Sequence, residues 1–505
     1  MEVSMATEGG PGPLTSSPPS PPGASYFDRS YANRTLVLLA TLGALISYID
    51  IMLLPALPSI AAEYHVSIAQ TSLLISLYTV FGVAVMPLIG KLGDIYGKRR
   101  VLLYTLALYL AVATTTSFAP TFELVLISRF VQGVGLGVFP LAFSLAREEF
   151  PRPLVPRAQG LLSAVQMSGG AAGILGGSLV TSSFGWQANY HLALPCILGL
   201  TVVAFLLVRE SPYRKPGAHL DYVGATWLGA ALTALVLGLS EGASWGWTSL
   251  ATVGTIGGAL LALLPLSVYE RRQTEPVFNL RLLRARNILV ANLMALLYGV
   301  AGFVMFQSIT YYLQLPRPIG LGLSVFETGL TMIPLVVVML PVALVVGSLI
   351  PRYGVKTFLG IGVIIGIAGF LLLSVSTNPI EVGGFLTVFA LGAGLMGVSR
   401  QSLLVLSLNK AEMGLGTSLN SSFFYIGQSL GAPLSGAILT TYVATQSVGG
   451  HAVTLPTSAA FQYCFYAAVF LYILLGLLTM FAREVIGRGT SPTDPSLISP
   501  KSDEG

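Results

Sequence analysis

The amino-acid sequence predicts an all-α membrane protein with fourteen transmembrane helices. Three observations carry this prediction: the apolar composition, the number of long apolar runs and the placement of the basic residues. Of 505 residues, 54% are hydrophobic and only 9% are charged, whereas an average soluble domain carries about 25% charged residues. At about 20 residues a span, this apolar content suffices for roughly a dozen helices or more. The composition argues against a soluble enzyme, a nucleic-acid-binding protein and a disordered scaffold.

The apolar residues are grouped in runs that are long enough to cross a bilayer as helices. The fourteen runs cover residues 36–55, 72–92, 100–118, 122–146, 157–180, 192–208, 222–240, 250–269, 287–312, 325–350, 356–375, 382–407, 416–442 and 457–482. An even number of spans places both termini on the same side of the membrane.

The basic residues identify that side, because Lys and Arg gather in the cytoplasmic loops of membrane proteins. With the termini inside, 23 of the 26 basic residues fall in inner segments, and Arg317 alone falls in an outer loop. Arg129 and Arg400 lie within spans. The sequence therefore predicts cytoplasmic termini in a multi-pass protein of the cell membrane. The basic residues of the cytoplasmic segments account for the pI of about 9.1, so the sequence does not predict a nucleic-acid partner.

A repeated loop divides the chain into two halves. "GKLGDIYGKRR" at 90–100 and "GSLIPRYGVKT" at 347–357 share G-x-L-x-x-x-Y-G followed by a base. If the loops are equivalent, the spans are arranged 6+2+6. The predicted divisions are a disordered cytoplasmic tail at 1–34, a six-helix bundle at 35–210, two inserted helices with a cytoplasmic linker at 211–286, a second six-helix bundle at 287–485 and a disordered cytoplasmic tail at 486–505.

Several segments resemble the major facilitator superfamily and, within it, the fourteen-span drug:proton antiporters. The loop at 90–100 resembles the superfamily signature G-x-L-x-D-x-x-G-R/K-R/K, and "RFVQGVGLG" at 129–137 resembles the signature of the fourth span. "YIDIMLLPALPSI" at 48–60 and "LDYVGATWLG" at 220–229 are similar to segments of the fourteen-span branch. The fifth span departs from the antiporter pattern, because "AGILGG" at 172–177 replaces G-P-x-x-G-G.

The resemblance implies the major facilitator fold and a secondary transporter that works by alternating access. It would export amphipathic or cationic drug-like compounds in exchange for protons. A proton-coupled transporter of a defined metabolite, such as a sugar, an amino acid or a siderophore, remains an alternative, and a non-transporting membrane sensor is a second. The expected partners are a small-molecule substrate, protons and the lipid bilayer, and we expect a monomer. No cofactor, metal site or enzymatic activity is predicted.

Asp50 is the only one of the 21 acidic residues that falls well inside a predicted span. A carboxylate at membrane depth is costly and is by default a functional candidate, here for binding a proton or a cationic substrate. The alternatives are a helix-packing hydrogen bond or a permanent ion pair. The resemblance implies that Arg129 lies near Asp50 and couples proton movement to substrate binding, although Arg129 could also be a constant counter-ion.

Polar and aromatic side chains at helical spacing predict a broad amphipathic cavity. The candidates are Tyr48, Gln132, Gln166, Phe303, Gln307, Asn420, Phe424 and Gln428. For each of them an ordinary interhelical contact is the alternative. Tyr311 and Tyr312 are predicted to lie in the aromatic belt at the membrane surface, and Arg400 is predicted to extend its side chain to the inner surface.

The first copy of the repeated loop is a candidate gate. Its residues of interest, with one base from the next inner loop, are Gly90, Asp94, Gly97, Lys98, Arg99, Arg100 and Arg147. The glycines allow a tight turn, and the acid lies near the positive N-terminus of the third span. The resemblance implies a cytoplasmic latch in which Asp94 pairs with a base such as Arg147. The alternative is that these charges only set the topology.

Overall fold

The computed structural model describes residues 29–151, 154–211, 220–273, 281–409, 412–448 and 451–485. The first half contains α1 (Arg29–Ile51), α2 (Leu57–Tyr64), α3 (Ile68–Tyr96), α4 (Lys98–Ser117), α5 (Phe122–Gln132), a 3₁₀ turn (Gly133–Gly137), α6 (Val138–Glu149), α7 (Val155–Phe184) and α8 (Gln187–Leu207). The inserted pair is α9 (Tyr222–Trp245) and α10 (Leu250–Arg272). The second half contains a 3₁₀ turn (Leu282–Arg284), α11 (Arg286–Gln314), α12 (Val325–Thr331), α13 (Ile333–Tyr353), α14 (Val355–Ser374), α15 (Pro379–Ser407), α16 (Met413–Thr441), β1 (Val443–Val448), β2 (His451–Pro456) and α17 (Ser458–Phe481).

Each of the fourteen apolar runs overlaps one long helix or one consecutive pair of helices. Among the described residues, twelve helical segments are long and apolar enough to cross a membrane, with α5–α6 and α12–α13 each counted as one. The all-helical membrane architecture is therefore confirmed. Two more helices, α7 and α16, are 30 and 29 residues long. The fourteen-span count remains a prediction.

The first helix begins earlier than predicted. Residues 1–28 and 486–505 of the predicted tails lie outside the described residues, but 29–34 form the start of α1. Tyr31 holds this segment in place, because the Arg209 backbone N–H donates to its hydroxyl at 2.8 Å. The Arg209 guanidinium also lies 4.2 Å from the centre of the Tyr31 ring. A residue 178 positions further along the chain therefore stabilises the first turn of α1.

A β-hairpin interrupts the otherwise helical chain between α16 and α17. Its antiparallel strands pair Val443 with Pro456 and Thr445 with Thr454. The structure adds this short hairpin to the predicted helices. Val443, Thr445, Val453 and Thr454 are β-branched residues of the kind that favours strands, and they lie between two apolar runs rather than inside one.

Glycines bring the first and fifth helices of each half into close contact. A methyl group at Gly173 of α7 would lie 2.7 Å from the Tyr48 carbonyl oxygen of α1. A methyl group at Gly177 would lie 2.7 Å from the Met52 carbonyl oxygen, just after α1. In the second half, a methyl group at Gly431 of α16 would lie 2.5 Å from the Val300 carbonyl oxygen of α11. Small residues allow membrane helices to approach at this distance.

Both copies of the repeated loop contain a glycine with positive φ directly before a helix. Gly97 precedes α4 with φ +107°, and Gly354 precedes α14 with φ +82°. At the first copy, the Arg99 backbone N–H donates to Glu210 Oε1 at 3.2 Å. At the second, the Val355 backbone N–H donates to Glu484 Oε1 at 2.9 Å, and the next N–H donates to Oε2 at 3.1 Å. Each carboxylate occupies the positive N-terminus of the third helix of its half.

The two halves touch at the ends of the helices that are predicted to face outward. The Tyr311 hydroxyl of α11 lies 2.6 Å from Thr71 Oγ1 of α3. Gln314 Nε2 donates to the Pro55 carbonyl oxygen at 2.8 Å. The inserted helix α9 packs against both α3 and α16. At the opposite ends, the hydrogen bonds described between helices join members of the same half, as Glu210 and Glu484 do.

The carboxylate at the second loop gives a test of this local structure. We expect Gly354→Ala to destabilise the protein, because a positive φ costs a non-glycine residue about 1–2 kcal/mol and the added methyl would lie 2.7 Å from Glu484 Oε2. Gly360→Ala in the same helix is the matched control, since nothing lies within 4 Å of the added methyl. Thermal unfolding of the detergent-solubilised variants should show a lower midpoint for Gly354→Ala alone. Equal midpoints for Gly354→Ala and Gly360→Ala would contradict the conclusion that the turn before α14 requires glycine.

Candidate functional site

Arg129 lies fully buried on α5 and donates hydrogen bonds to groups from several helices. Its Nε donates to the Leu74 carbonyl oxygen of α3 at 3.3 Å. Its Nη1 donates to the Ile49 carbonyl oxygen of α1 at 3.4 Å. The same nitrogen donates to Gln132 Oε1 at 3.0 Å and to the Tyr190 hydroxyl of α8 at 3.4 Å. Neutral acceptors thus hold the guanidinium in a fixed orientation.

Asp50 is the penultimate residue of α1 and retains only 9% of its exposure. The helix ends at Ile51, four residues before Pro55, because proline has no N–H to donate to the Ile51 carbonyl oxygen. Arg129 Nη2 donates to the backbone carbonyl oxygen of Asp50 at 3.5 Å. In the described part of the chain, no ion pair within 4.0 Å joins the two side chains, and Asp50 Oδ1 is buried without a hydrogen-bond partner. The two residues are neighbours, as the resemblance implies, without being locked together.

Three buried tyrosines surround this pair, and sequence reasoning missed them. The Arg129 guanidinium lies 4.5 Å from the centre of the Tyr78 ring, a cation–π geometry. Tyr190 donates from its hydroxyl to Gln132 Oε1 at 3.3 Å. Tyr109 is fully buried and approaches the pair from α4. A tyrosine inside an apolar run was the available signal, but the chain has 21 tyrosines, and their spacing does not identify these three.

The second half approaches Asp50 through Tyr425 of α16. Tyr425 interacts electrostatically with Asp50 and forms a side-chain hydrogen bond with Gln166 of α7. The ring of Phe424 lies 5.7 Å from that of Tyr425 and 6.2 Å from that of Tyr298. Polar and aromatic side chains from both halves therefore meet beside the carboxylate. Gln166 and Phe424 were predicted for this cavity, whereas Tyr425 was missed.

The other predicted cavity residues do not form one group. Tyr48 donates from its hydroxyl to Asn189 Oδ1 at 3.2 Å, which is a contact between α1 and α8. Phe303 is buried with its ring 5.7 Å from that of Phe306 on the same helix. Gln428 is buried where α16 approaches α11. Helical spacing found these positions but did not distinguish a cavity wall from a helix contact.

Gln307 and Tyr311 belong to the contact between the halves. Gln307 Nε2 donates to the Ile68 carbonyl oxygen of α3 at 3.5 Å. Tyr311 is only 2% exposed and contacts Thr71, so its predicted place in the membrane-surface belt is wrong. Tyr312 is partly buried and donates from its hydroxyl to the Ser376 carbonyl oxygen at 2.5 Å. Both hydroxyls are engaged within the protein, because Tyr311 faces α3 of the first half and Tyr312 faces the segment after α14 of the second half.

Arg400 does not extend to the inner surface as predicted. It is 8% exposed, and its Nη1 donates to Asn420 Oδ1 of α16 at 2.5 Å. Asn420 in turn donates to the Ala291 carbonyl oxygen of α11 at 3.1 Å. The side chain therefore points into the second half, and the predicted cavity residue Asn420 is its partner.

The predicted gate residues form a cluster with a different pairing. Asp94 Oδ1 lies 3.4 Å from Lys98 Nζ, and Lys98 also pairs with Glu148 of α6. Arg147 is exposed, so the implied pairing of Asp94 with Arg147 is absent among the described ion pairs. Asp94 lies near the end of α3 and Lys98 is the first residue of α4, so the turn at Gly97 brings the two side chains together.

The remaining loop residues hold the start of α4. Gly97 adopts the positive φ that allows the turn, and a methyl group at Gly90 would lie 3.8 Å from Pro140 of α6. Arg99 Nη2 donates to the Phe205 carbonyl oxygen of α8 at 2.7 Å. Arg100 Nε lies 3.9 Å from Glu210 Oε2. These contacts tie the loop to α6 and α8 of its own half.

The arrangement around Asp50 can bind a cation. Its Oδ1 is buried and receives no hydrogen bond from the described residues, so this oxygen can accept a proton without displacing a protein donor. Arg129 remains fixed by its other acceptors when the charge of Asp50 changes. A carboxylate at membrane depth with these neighbours fits ion or substrate binding better than a purely structural contact.

Relatives of known sequence share most of this chain. An uncharacterized MFS-type transporter of Mycobacterium tuberculosis is 30% identical over 403 residues, which are 78% of this chain and 57% of that protein. This chain therefore spans little more than half the length of that relative. The multidrug efflux pump LfrA of Mycolicibacterium smegmatis is 27% identical over 459 residues, which are 85% of this chain and 88% of the pump.

The fold and the family agree with these relatives. A crystal structure of a bacterial homologue of the human lysosomal transporter Spinster, inward-facing and unoccupied, matches with a TM-score of 0.66. The match has 15% sequence identity and covers 90% of this chain and 97% of that chain, which shows a shared fold. The family model of the Major Facilitator Superfamily matches residues 39–432 and, in a second match, 320–503. This multi-pass membrane protein belongs to the major facilitator superfamily.

Proposed function

We propose that the protein exports amphipathic or cationic drug-like compounds in exchange for protons. The observation that carries this proposal is the buried Asp50 carboxylate, which lies beside Arg129 but is not ion-paired with it. The efflux activity in the name of LfrA supports export of drug-like compounds. Tyr425, which interacts electrostatically with the carboxylate, and the neighbouring Phe424 suit a substrate with a flat apolar body.

Protons and cationic substrates compete for one carboxylate in this mechanism. When Asp50 is ionised, it attracts a cationic substrate, and protonation abolishes that attraction and releases the substrate. Arg129 keeps its position because Leu74, Ile49 and Gln132 accept its hydrogen bonds in either state. Its fixed positive charge favours the return of Asp50 to the ionised form. Each charge that crosses the membrane contributes about 2.3 kcal/mol per 100 mV.

Alternating access follows from where the halves touch. The contacts of Tyr311 with Thr71 and of Gln314 with Pro55 join the halves at the ends that we propose to face outward, which supports a state that is closed on that side. Export requires these contacts to break and the inner ends to close. The cluster of Asp94, Lys98 and Glu148 acts at the inner ends, where the loop meets α6.

The topology belongs to the same proposal. The helices α7 and α16 are the fifth members of their halves and pack against the first members, α1 and α11. Counting them with the twelve apolar segments gives fourteen spans, arranged 6+2+6 with cytoplasmic termini. The protein acts as a monomer, because each half supplies one side of the cavity.

Asp50→Asn tests the coupling directly. The amide keeps the size of the side chain but binds no proton, so we expect uptake of ethidium into inverted proteoliposomes to lose its response to an imposed pH gradient. Ethidium movement should fall to the level measured without a gradient. The matched control is Glu123→Gln, which removes an exposed carboxylate from the start of α5 and should leave the response unchanged.

Two outcomes would contradict this mechanism. Wild-type transport that ignores the pH gradient would exclude proton exchange. A gradient response that persists in Asp50→Asn would exclude Asp50 as the proton site, even if transport by the wild type is coupled.

Arg129→Lys tests whether the arginine geometry is needed. Lysine keeps the charge but lacks the planar fork that reaches carbonyl oxygens on two helices. Because the buried carbonyl acceptors on α1 and α3 lose their donor, we expect destabilisation of about 1–3 kcal/mol and a lower thermal unfolding midpoint. Arg352→Lys changes an exposed arginine and should have no effect. A midpoint equal to that of the wild type would show that the network has no structural role.

Single cysteines test the inserted pair of spans. In a chain with Cys196 and Cys464 replaced by serine, Thr248→Cys lies between α9 and α10, and Gln273→Cys follows α10. A membrane-impermeant maleimide should label Thr248→Cys in intact cells and Gln273→Cys only after permeabilisation. Protection of Thr248→Cys in intact cells would contradict the 6+2+6 topology.

A further inference from the structure

Each half of the protein buries one arginine, but the two arginines differ in how they are satisfied. Arg129 in the first half has several described acceptors and Asp50 beside it. Arg400 in the second half has one described hydrogen bond, which it donates to Asn420. Arg400 Nε is buried and has no hydrogen-bond partner among the described residues. Arginine carries five N–H donors and stays charged in proteins, so Arg400 is under-satisfied.

The described carboxylates do not compensate this charge. Across the described ranges, no Asp or Glu oxygen lies within 4.0 Å of the Arg400 guanidinium. Asn420 supplies a dipole but no charge, and its Nδ2 donates to the Ala291 carbonyl oxygen and to Asn292 Oδ1. This orientation keeps Asn420 Oδ1 directed at the guanidinium. A buried cation without a counter-charge costs several kcal/mol, and ionisable residues inside a membrane face a cavity or a partner.

Aromatic rings lie next to the guanidinium. The centre of the Tyr298 ring is 5.7 Å from Arg400 Cζ, and the Phe424 ring lies 6.2 Å from the Tyr298 ring. Both rings are partly exposed, so a ligand can reach them. Tyr298 is held in place because its hydroxyl donates to the Ala393 carbonyl oxygen at 3.1 Å. A fixed cation beside two accessible rings suits a flat molecule with an anionic group.

We propose that Arg400 and Asn420 form a binding subsite for an anionic oxygen group, a carboxylate or a phosphate. Tyr298 and Phe424 contact the flat apolar part of the same ligand. Where that ligand is a transported compound, the inference rests on the proposed export function and extends its substrates from cations to aromatic acids and zwitterions. The same chemistry would also hold the phosphate of a bound lipid.

The subsite complements the carboxylate of the first half. Arg400 lies seven residues before the end of α15, which is about 10 Å along the helix from the end proposed to be cytoplasmic. The Phe424 ring lies 5.7 Å from the Tyr425 ring, and Tyr425 interacts electrostatically with Asp50. Tyr425 thus relates the second half, which carries Arg400, to the carboxylate of the first.

Equilibrium binding tests the subsite without a pH gradient. Fluorescence polarisation of the purified full chain in detergent would compare fluorescein, an aromatic carboxylate, with the cation ethidium. We expect Arg400→Gln to weaken fluorescein binding by about tenfold or more, since a charge-assisted hydrogen bond is lost. Ethidium binding should stay within about twofold, because a neutral substitution leaves the Asp50 site intact. Arg352→Gln, which removes an exposed cation, should change neither affinity.

Arg400→Lys keeps the test decisive if Arg400→Gln fails to fold. Lysine retains the charge but offers one donor point instead of a fork, so fluorescein affinity should still fall relative to ethidium affinity. The proposal would be overturned if the wild type and Arg400→Lys bound fluorescein with equal affinity and also retained the same phospholipids.

The source of the anion is decided by native mass spectrometry of the same samples. A phospholipid retained by the wild type and lost from both Arg400 variants, with fluorescein affinity unchanged, would assign the subsite to a lipid phosphate. A selective loss of fluorescein affinity assigns it to a transported acid. If both Arg400 variants keep the bound phospholipid and the fluorescein affinity of the wild type, the subsite does not exist. Failure of proton-driven export would leave these binding results unaffected, so the two proposals fail separately.

Discussion

The cost of burying charge in an apolar interior is the constraint on which the functional centre of this protein depends. A guanidinium inside a membrane protein must receive hydrogen bonds from whatever surrounds it, since no water is available in the hydrocarbon region. Arg129 obtains them from the backbone of α1 and α3, from Gln132 and from Tyr190 of α8. These contacts join α1, α3, α5 and α8 through one side chain, and Asp50 lies beside it.

A second constraint is the repeated architecture of the halves. The glycine turns at Gly97 and Gly354 place the starts of α4 and α14 where the carboxylates Glu210 and Glu484 accept their free N–H groups. In each half the first and fifth helices approach through glycines. The carboxylates at both loops and the glycine contacts lie inside one half each, whereas α3 and α16 pack against each other across the halves. The fewer contacts between halves, such as Tyr311 with Thr71, are the ones that a change of access must break.

The chemistry of the halves is not repeated. The first half combines an acid and a base in Asp50 and Arg129, whereas the second half has a base, Arg400, with the neutral partner Asn420. Tyr425 brings the second half to the acid of the first. A shared scaffold therefore carries different charges in its two halves, and the proposed export of cations and binding of anionic groups rest on that difference.

The sequence by itself determined that this is a helical membrane protein, which apolar runs become long helices, and that the loops before α4 and α14 are copies. These properties depend on local hydropathy and spacing, which can be read along the chain. Only the tertiary structure decided which side chains meet. Helical periodicity grouped Tyr48, Gln307 and Asn420 in one cavity, but helix rotation and crossing place them in three separate contacts. Tyr311 and Arg400 turn inward for the same reason: each has a polar partner on another helix, and no local pattern records that partner.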